Sequence, residues 1–317
     1  MSGTETRTRF WLSEYNSEWD VYHHGVTRVL AHQVTDYQEM YIVEAGQNGK
    51  ALVLDGKWQS CTADEFLYHE PLVHPAMLQH GSPRQVLVLG GGEGATIREV
   101  LRWNTVERVV MVDIDGQVVD ACKTHLDQMH QGAFDDPRTE LVIGDAIDYL
   151  ETTDTAWDVV ICDLTDPIEY GPSFKLFTKQ YFEKVARVLA NGGAMVIQAG
   201  SVGPVDLQMH VRLVHTLGSV FEQVCSYAAY LPTFATPWGF ALGSNRPISE
   251  SPNPHDINAT LAEKTRGGLR MFDGRTLLGM LQQPLNVREA IRRETQIYTI
   301  EQPPKYSGAG LVKTVET

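Results

Sequence analysis

Five carboxylates stand where apolar runs give way to loops. Residues 86 to 100 read "VLVLGGGEGATIREV", an apolar run that tightens into glycines and then turns helical, with Glu93 inside the glycine loop. Asp113 closes the next apolar run, "VERVVMVDID". Asp145 follows in "IGDA", and Asp163 and Asp166 follow in "WDVVICDLTDP". Gly90, Gly92 and Ala95 have the G-x-G-x-x-G/A spacing of loops that let backbone pass close to a nucleotide. An acid at the end of the following strand, as Asp113 is, binds ribose hydroxyls in such sheets. The competing reading of Asp113 and Asp115 is a helix N-cap. Each of the other aspartates could equally close a turn.

The charge count narrows the ligand. No Lys or Arg lies within three residues of any of these carboxylates, and Arg98 is one helical turn beyond the loop. A pyrophosphate seeks helix N-termini without a carboxylate alongside, which disfavours a dinucleotide. Carboxylates gathered in one crevice require cations, because unpaired buried charge is costly. Mg²⁺ and Ca²⁺ sites cluster their oxygens tightly, whereas these lie on separate strands, so no metal is expected. An organic cation bearing a nucleoside fits better: a sulfonium such as S-adenosylmethionine, with an amine as second substrate. The formal net charge of −14 disfavours nucleic acid as a partner. It suits cationic substrates, or serves solubility alone.

Such strand ends need a sheet to hold them. Up to about residue 80, "TRVLAHQVT", "QEMYIVEA" and "KALVLDGKWQSC" read as short strands split by turn signals. "DEFLYHEPLVHPAMLQHG" then reads as a helix ending before Pro83. This places a small β domain at 1–81 and a larger domain at 82–317. From residue 84 on, five continuous apolar strands alternate with helices, which calls for a parallel sheet covered on both faces. Trp11, Trp19 and Trp58 read as core or subunit packing. Cys61, Cys122, Cys162 and Cys225 form no CxxC pair, which points to a reduced, cytoplasmic protein. No apolar run approaches the ~20 residues that span a bilayer, so no membrane partner is expected.

Taken in order, "VLVLGGGEGATIREVLRWNTVERVVMVDID", "DDPRTELVIGDAIDYL", "WDVVICDLTDP", "LVLDGKWQSCTADEFLYHEPLVHPAM" and "LPTF" closely resemble the polyamine aminopropyltransferases. This is the spermidine synthase family, which includes thermospermine synthases and agmatine or triamine aminopropyltransferases. The resemblance runs from about Trp11 to about Ser244. It implies an α/β fold: a Rossmann-like, methyltransferase-type doubly wound sheet with a small N-terminal β domain, assembled as a homodimer or homotetramer. It implies transfer of an aminopropyl group from decarboxylated S-adenosylmethionine, a co-substrate, to an amine, with release of methylthioadenosine and no further cofactor. By resemblance, Gln38 and Asp113 hold the ribose and nucleoside, Gly90 and Gly92 shape the donor loop, and Asp145 and Ala146 meet the adenine. Glu93 pairs with the aminopropyl ammonium, and the same charge would repel the carboxylate of ordinary S-adenosylmethionine. Tyr68 and Asp163 face the attacking amine. Asp166 holds the acceptor nearby, and Gln59, His69, Gln198 and Phe234 form the matching walls.

Attack requires a neutral amine, whereas free alkyl amines titrate near the Lys value of about 10. An unperturbed aspartate titrates at about 3.9, so Asp163 is expected to orient the amine and take its proton as the N–C bond forms. Glu93 with Ala95, the "YHE" of Tyr68 to Glu70, Leu164 and Thr165 before "DP", and Phe234 depart from most spermidine synthases and resemble the thermospermine and triamine or agmatine branch. Two other functions share these features: methyl transfer from intact S-adenosylmethionine on the same fold, and catalytically silent polyamine binding.

Overall fold

The computed structural model describes residues 8–15, 19–167 and 173–304. Strands β1 (Phe10–Tyr15) and β2 (Val21–Val26) pair antiparallel. A four-stranded antiparallel sheet follows, built from β3 (Arg28–Val34), β4 (Glu39–Glu44), β5 (Lys50–Leu54) and β6 (Lys57–Cys61). Asp55 and Gly56 both have positive φ between β5 and β6, the backbone that a two-residue hairpin demands and that Asp-Gly tolerates. Helix α1 (Phe66–His80) leads into the large sheet.

The large domain alternates as its pattern required: β7 (Gln85–Gly90), α2 (Ala95–Leu101), β8 (Arg108–Asp113), α3 (Gly116–His125), α4 (Asp127–His130), β9 (Thr139–Ile143), α5 (Ala146–Thr152), β10 (Trp157–Asp163), α6 (Lys179–Val188) and β11 (Leu189–Ser201). Next come α7 (Leu207–Gly218), β12 (Gln223–Leu231), β13 (Thr236–Ser244), α8 (Pro254–Lys264), α9 (Gly274–Leu281) and α10 (Leu285–Arg293). The seven strands lie in the order β9-β8-β7-β10-β11-β13-β12. The first five are parallel, and β13 and β12 complete the sheet antiparallel. The chain runs outward from β7 to β9 and then returns to β10 on the other side of β7. The strand order reverses there, and such a switch point opens a crevice beyond the carboxyl ends.

Alternation along β7 shows how both faces are covered. Val86 and Val88 join a core with Leu72, Val73, Ala76 and Met77 of α1 and Ile97 of α2. Leu87 and Leu89 join the opposite core with Leu150, Phe182 and Leu213. Helix α1 therefore packs with the large sheet although it precedes Gly81. The small sheet sits against α3 and α4: Met40, Ile42 and Leu52 pack with Val118, Cys122 and Met129. This docking carries Gln38 and Gln59 over the switch point. Trp58 is buried, whereas Trp11 is exposed on the outer β1–β2 ribbon.

Candidate active site

The carboxyl ends of β7, β8, β9 and β10 open onto one cavity of about 1010 Å³. Glu93, Asp113, Asp145, Asp163 and Asp166 all line it. So do Gln38, Gln59, Tyr68, Gly90, Gly92, Ala146, Gln198 and Phe234. The parallel register sets Asp163 beside Gly90. Gly90 has φ +84°, and a Cβ there would lie 2.1 Å from the Asp163 carbonyl oxygen. Gly91 N–H donates to that same oxygen at 2.9 Å. Gly94 has φ +80° with the Phe134 ring 2.5 Å from its virtual Cβ. The loop thus needs glycine at both places, and it delivers Glu93 to the cavity wall.

Asp163 is held by two hydroxyls: Tyr68 donates to Oδ1 at 2.8 Å and Thr96 to Oδ2 at 2.6 Å. Burial and the nearby Glu93 charge raise its pKa, against the opposing pull of His69 and these two hydrogen bonds. Burial, with Asp163 alongside, holds the Tyr68 phenol well above its ordinary value, so it remains a donor. Burial raises Asp166 to about 6, with the Gln198 hydrogen bond opposing. Gln198 Nε2 donates to Asp166 Oδ1 at 3.2 Å and to the Leu164 carbonyl at 3.0 Å. Burial raises Asp113 to about 7, aided by the charges of Asp115, Glu93 and Asp163. A crevice lined by several carboxyl groups whose pKa burial raises suits a positively charged ligand.

The aspartates at helix starts divide their labour. Asp115 caps α3 through Gln117 and Val118 N–H, and it accepts from Thr35 Oγ1 at 2.6 Å and Gln38 Nε2 at 3.1 Å. Asp113 is no cap: it accepts from Asp115 N–H at 2.9 Å and faces the cavity. Asp145 does both, capping α5 while lining the wall. Phe234 lies edge-on to Tyr68, ring centroids 6.4 Å apart, and to Trp238 at 4.9 Å.

One expected wall residue stands elsewhere. His69 is fully buried behind Glu93 and does not line the cavity. Its Nε2 lies 3.1 Å from Glu93 Oε1 and its Nδ1 3.0 Å from Glu65 Oε2. Burial alone would lower its pKa, but the two carboxylates raise it to about 10. Glu93 is consequently ionised: burial opposes its charge, and the His69 hydrogen bond and charge prevail. The carboxylates are therefore not wholly without cations, as the motifs alone suggested. Ligand atoms of His69, Glu93 and Asp163 lie within 4.8 Å of one another. Both ring nitrogens of His69 face carboxylates, however, which leaves no lone pair for a metal.

Thr96 and Glu65 stand outside the motif residues, and the motifs mark Arg98 only as the nearest cation beyond the loop. Thr96 could have been found from its place in the first turn after the glycine loop. The pairing of Glu65 with Arg98 carried no signal, because it spans 33 residues and exists only in the fold. Among the described residues, no helix is long and apolar enough to cross a membrane.

Comparison with known proteins places the site in context. The family model described as the spermine/spermidine synthase domain matches residues 65–251. A polyamine aminopropyltransferase of Synechococcus sp. (strain JA-3-3Ab) is 54% identical over 303 residues, covering 93% of this chain and 97% of that protein. Another from Sulfurisphaera tokodaii is 41% identical over 293 residues, covering 92% and 97%. The crystal structure of a spermidine synthase in complex with the transition state analogue AdoDATO superimposes with a TM-score of 0.84 at 27% identity, covering 92% of this chain and 98% of that one.

Proposed function

Because the chain belongs to the spermine/spermidine synthase family and is an aminopropyltransferase, we propose that its donor is decarboxylated S-adenosylmethionine and its acceptor a cationic polyamine or related amine such as spermidine, agmatine or putrescine. The observation that carries this is the single cavity lined by Glu93, Asp113, Asp145, Asp163 and Asp166. The donor offers an ammonium and a sulfonium but no carboxylate, so an ionised Glu93 favours it and disfavours ordinary S-adenosylmethionine. Gln38, Asp113, Asp145 and Ala146 receive the nucleoside over the Gly90–Gly92 turn. Asp163, Tyr68, Asp166, Gln59, Gln198 and Phe234 receive the amine.

In the chemical step the amine lone pair attacks the methylene carbon bound to sulfur. The N–C bond forms as the C–S bond breaks, and the bonding electrons return to sulfur, giving neutral methylthioadenosine. The extra proton leaves the nitrogen for Asp163. Burial makes that carboxylate a stronger base than a free aspartate, which supports a proton-accepting role beyond orientation. The departures at Glu93, His69, Leu164, Thr165 and Phe234 support a longer or guanidinium-bearing acceptor in preference to putrescine. Four buried free thiols support a reducing compartment such as the cytoplasm.

The test is to incubate the protein with decarboxylated or ordinary S-adenosylmethionine against agmatine, putrescine, spermidine and spermine. Methylthioadenosine is expected only from the decarboxylated donor, with putrescine the poorest acceptor. Equal use of both donors would refute the role given to Glu93.

A further inference from the structure

Glu93 is the cavity end of a line of buried charges. Behind it stands His69, then Glu65, whose two oxygens accept from Arg98 at 3.2 and 2.8 Å. Arg98 Nε donates to Glu99 Oε1 at 2.8 Å, and Arg102 closes the line with an ion pair to Glu99 at 2.7 Å. The charges alternate in sign from the cavity wall to the far end of α2. His69 is the link between the glycine loop and this line, and it is 0% exposed. Each of its ring nitrogens faces an acceptor, and only an imidazolium carries two N–H groups. Glu65 lies between the imidazolium and Arg98, with Arg270 3.9 Å away as a further cation. Of these residues only Glu93 lines the cavity, so its charge is the one that faces a ligand.

We propose that His69 is a positioning residue for donor selection. It acts through Glu93, anchoring one carboxylate oxygen so that the group keeps its charge and its place at the cavity wall. The inference rests on the reading that Glu93 receives the donor ammonium. The groups facing His69 are Glu65 from the turn before α1, Tyr68 edge-on at 5.0 Å from the same helix, Glu93 from the glycine loop, and Asp163 from β10, with Arg98 of α2 behind Glu65. Without the imidazolium, burial would push the Glu93 carboxyl up, and a neutral Glu93 would neither attract an ammonium nor repel a carboxylate.

The experiment compares the whole enzyme with His69→Gln, which keeps an N–H for Glu93 but loses the charge, and with His69→Ala, which loses both. Glu93→Gln runs in parallel. Donor and acceptor kinetics are followed between about pH 6 and 9, which spans the relevant titrations. For His69→Ala the donor KM is expected to rise about tenfold, the scale of one lost charged hydrogen bond, with kcat and acceptor KM changed far less. For His69→Gln the acid limb of kcat/KM for the donor is expected to move toward neutral pH. Should Glu93→Gln raise the donor KM while both His69 variants match wild type in donor KM and acid limb, the inference fails and the Glu93 reading survives. Should Glu93→Gln itself leave donor KM unchanged, the Glu93 reading fails. Nitrogen NMR of the wild-type protein needs no variant to fold: two ring N–H signals for His69 at about pH 8.5, above the free value, support the inference. A neutral tautomer there overturns it.

Discussion

At the scale of single residues, the site is a balance between burial and charge. Asp113 and Asp166 are raised to about 7 and about 6, chiefly by burial. Such groups cost the fold stability at neutral pH: their contribution is fully present below the unfolded value of about 3.9 and is lost as pH rises through the folded value. A bound cation reverses the cost by favouring the ionised forms. Binding of the decarboxylated donor at about pH 6.5 is therefore expected to release a fraction of a proton, because that pH lies between the two groups. Calorimetry in buffers of different ionisation enthalpy reads this directly. Identical apparent enthalpies across buffers would show that neither group changes protonation on binding. All five motif carboxylates line the cavity, and their presence at strand ends was legible in the sequence. That His69 backs Glu93 and does not itself line the wall was not, because the side chain next to Tyr68 on a helix can point either way.

At the scale of elements, α1 joins the site to the rest of the molecule. It carries Tyr68 to Asp163 and His69 to Glu93, and its next residue, Glu70, turns to the far side. Fully buried, Glu70 accepts from the backbone N–H groups of Arg270, Met271 and Phe272 at 2.7, 2.9 and 2.8 Å. Three N–H groups converging on one carboxylate tie the segment between α8 and α9 to the helix that lines the active site. Glu70→Gln keeps the shape but puts an amide donor against those N–H groups. It is expected to cost about 1–3 kcal/mol, the penalty for an unsatisfied buried group. Hydrogen exchange across residues 270–281 should accelerate in this variant. Unchanged protection and an unchanged Tm would mean that the tie contributes nothing. The chain beyond residue 245 is Pro-punctuated, and the segment between α8 and α9 is held to the large domain by this contact.

At the scale of the whole molecule, the acidic chain surrounds an acidic cavity, a combination suited to drawing in polycations. The β1–β2 ribbon leaves Phe10 and Trp11 exposed, whereas Val21, also exposed, lines the cavity. The homodimer or homotetramer expected from the resemblance would cover Phe10 and Trp11 if β1 forms the contact. Light scattering is expected to return two or four times the chain mass, and Trp11→Glu to lower it. A monomeric mass for the unmodified protein would rule this assembly out.

The sequence by itself determined the alternation of strands and helices, the glycine loop, and the carboxylate at each strand end, because periodicity and backbone restrictions act locally. It also carried the family. Only the tertiary structure decided that α1 packs with the large sheet, that two antiparallel strands finish that sheet, and that His69 stands between Glu65 and Glu93. Those outcomes depend on which buried charges find partners across distant segments, and the energy of such pairing has no trace in local spacing.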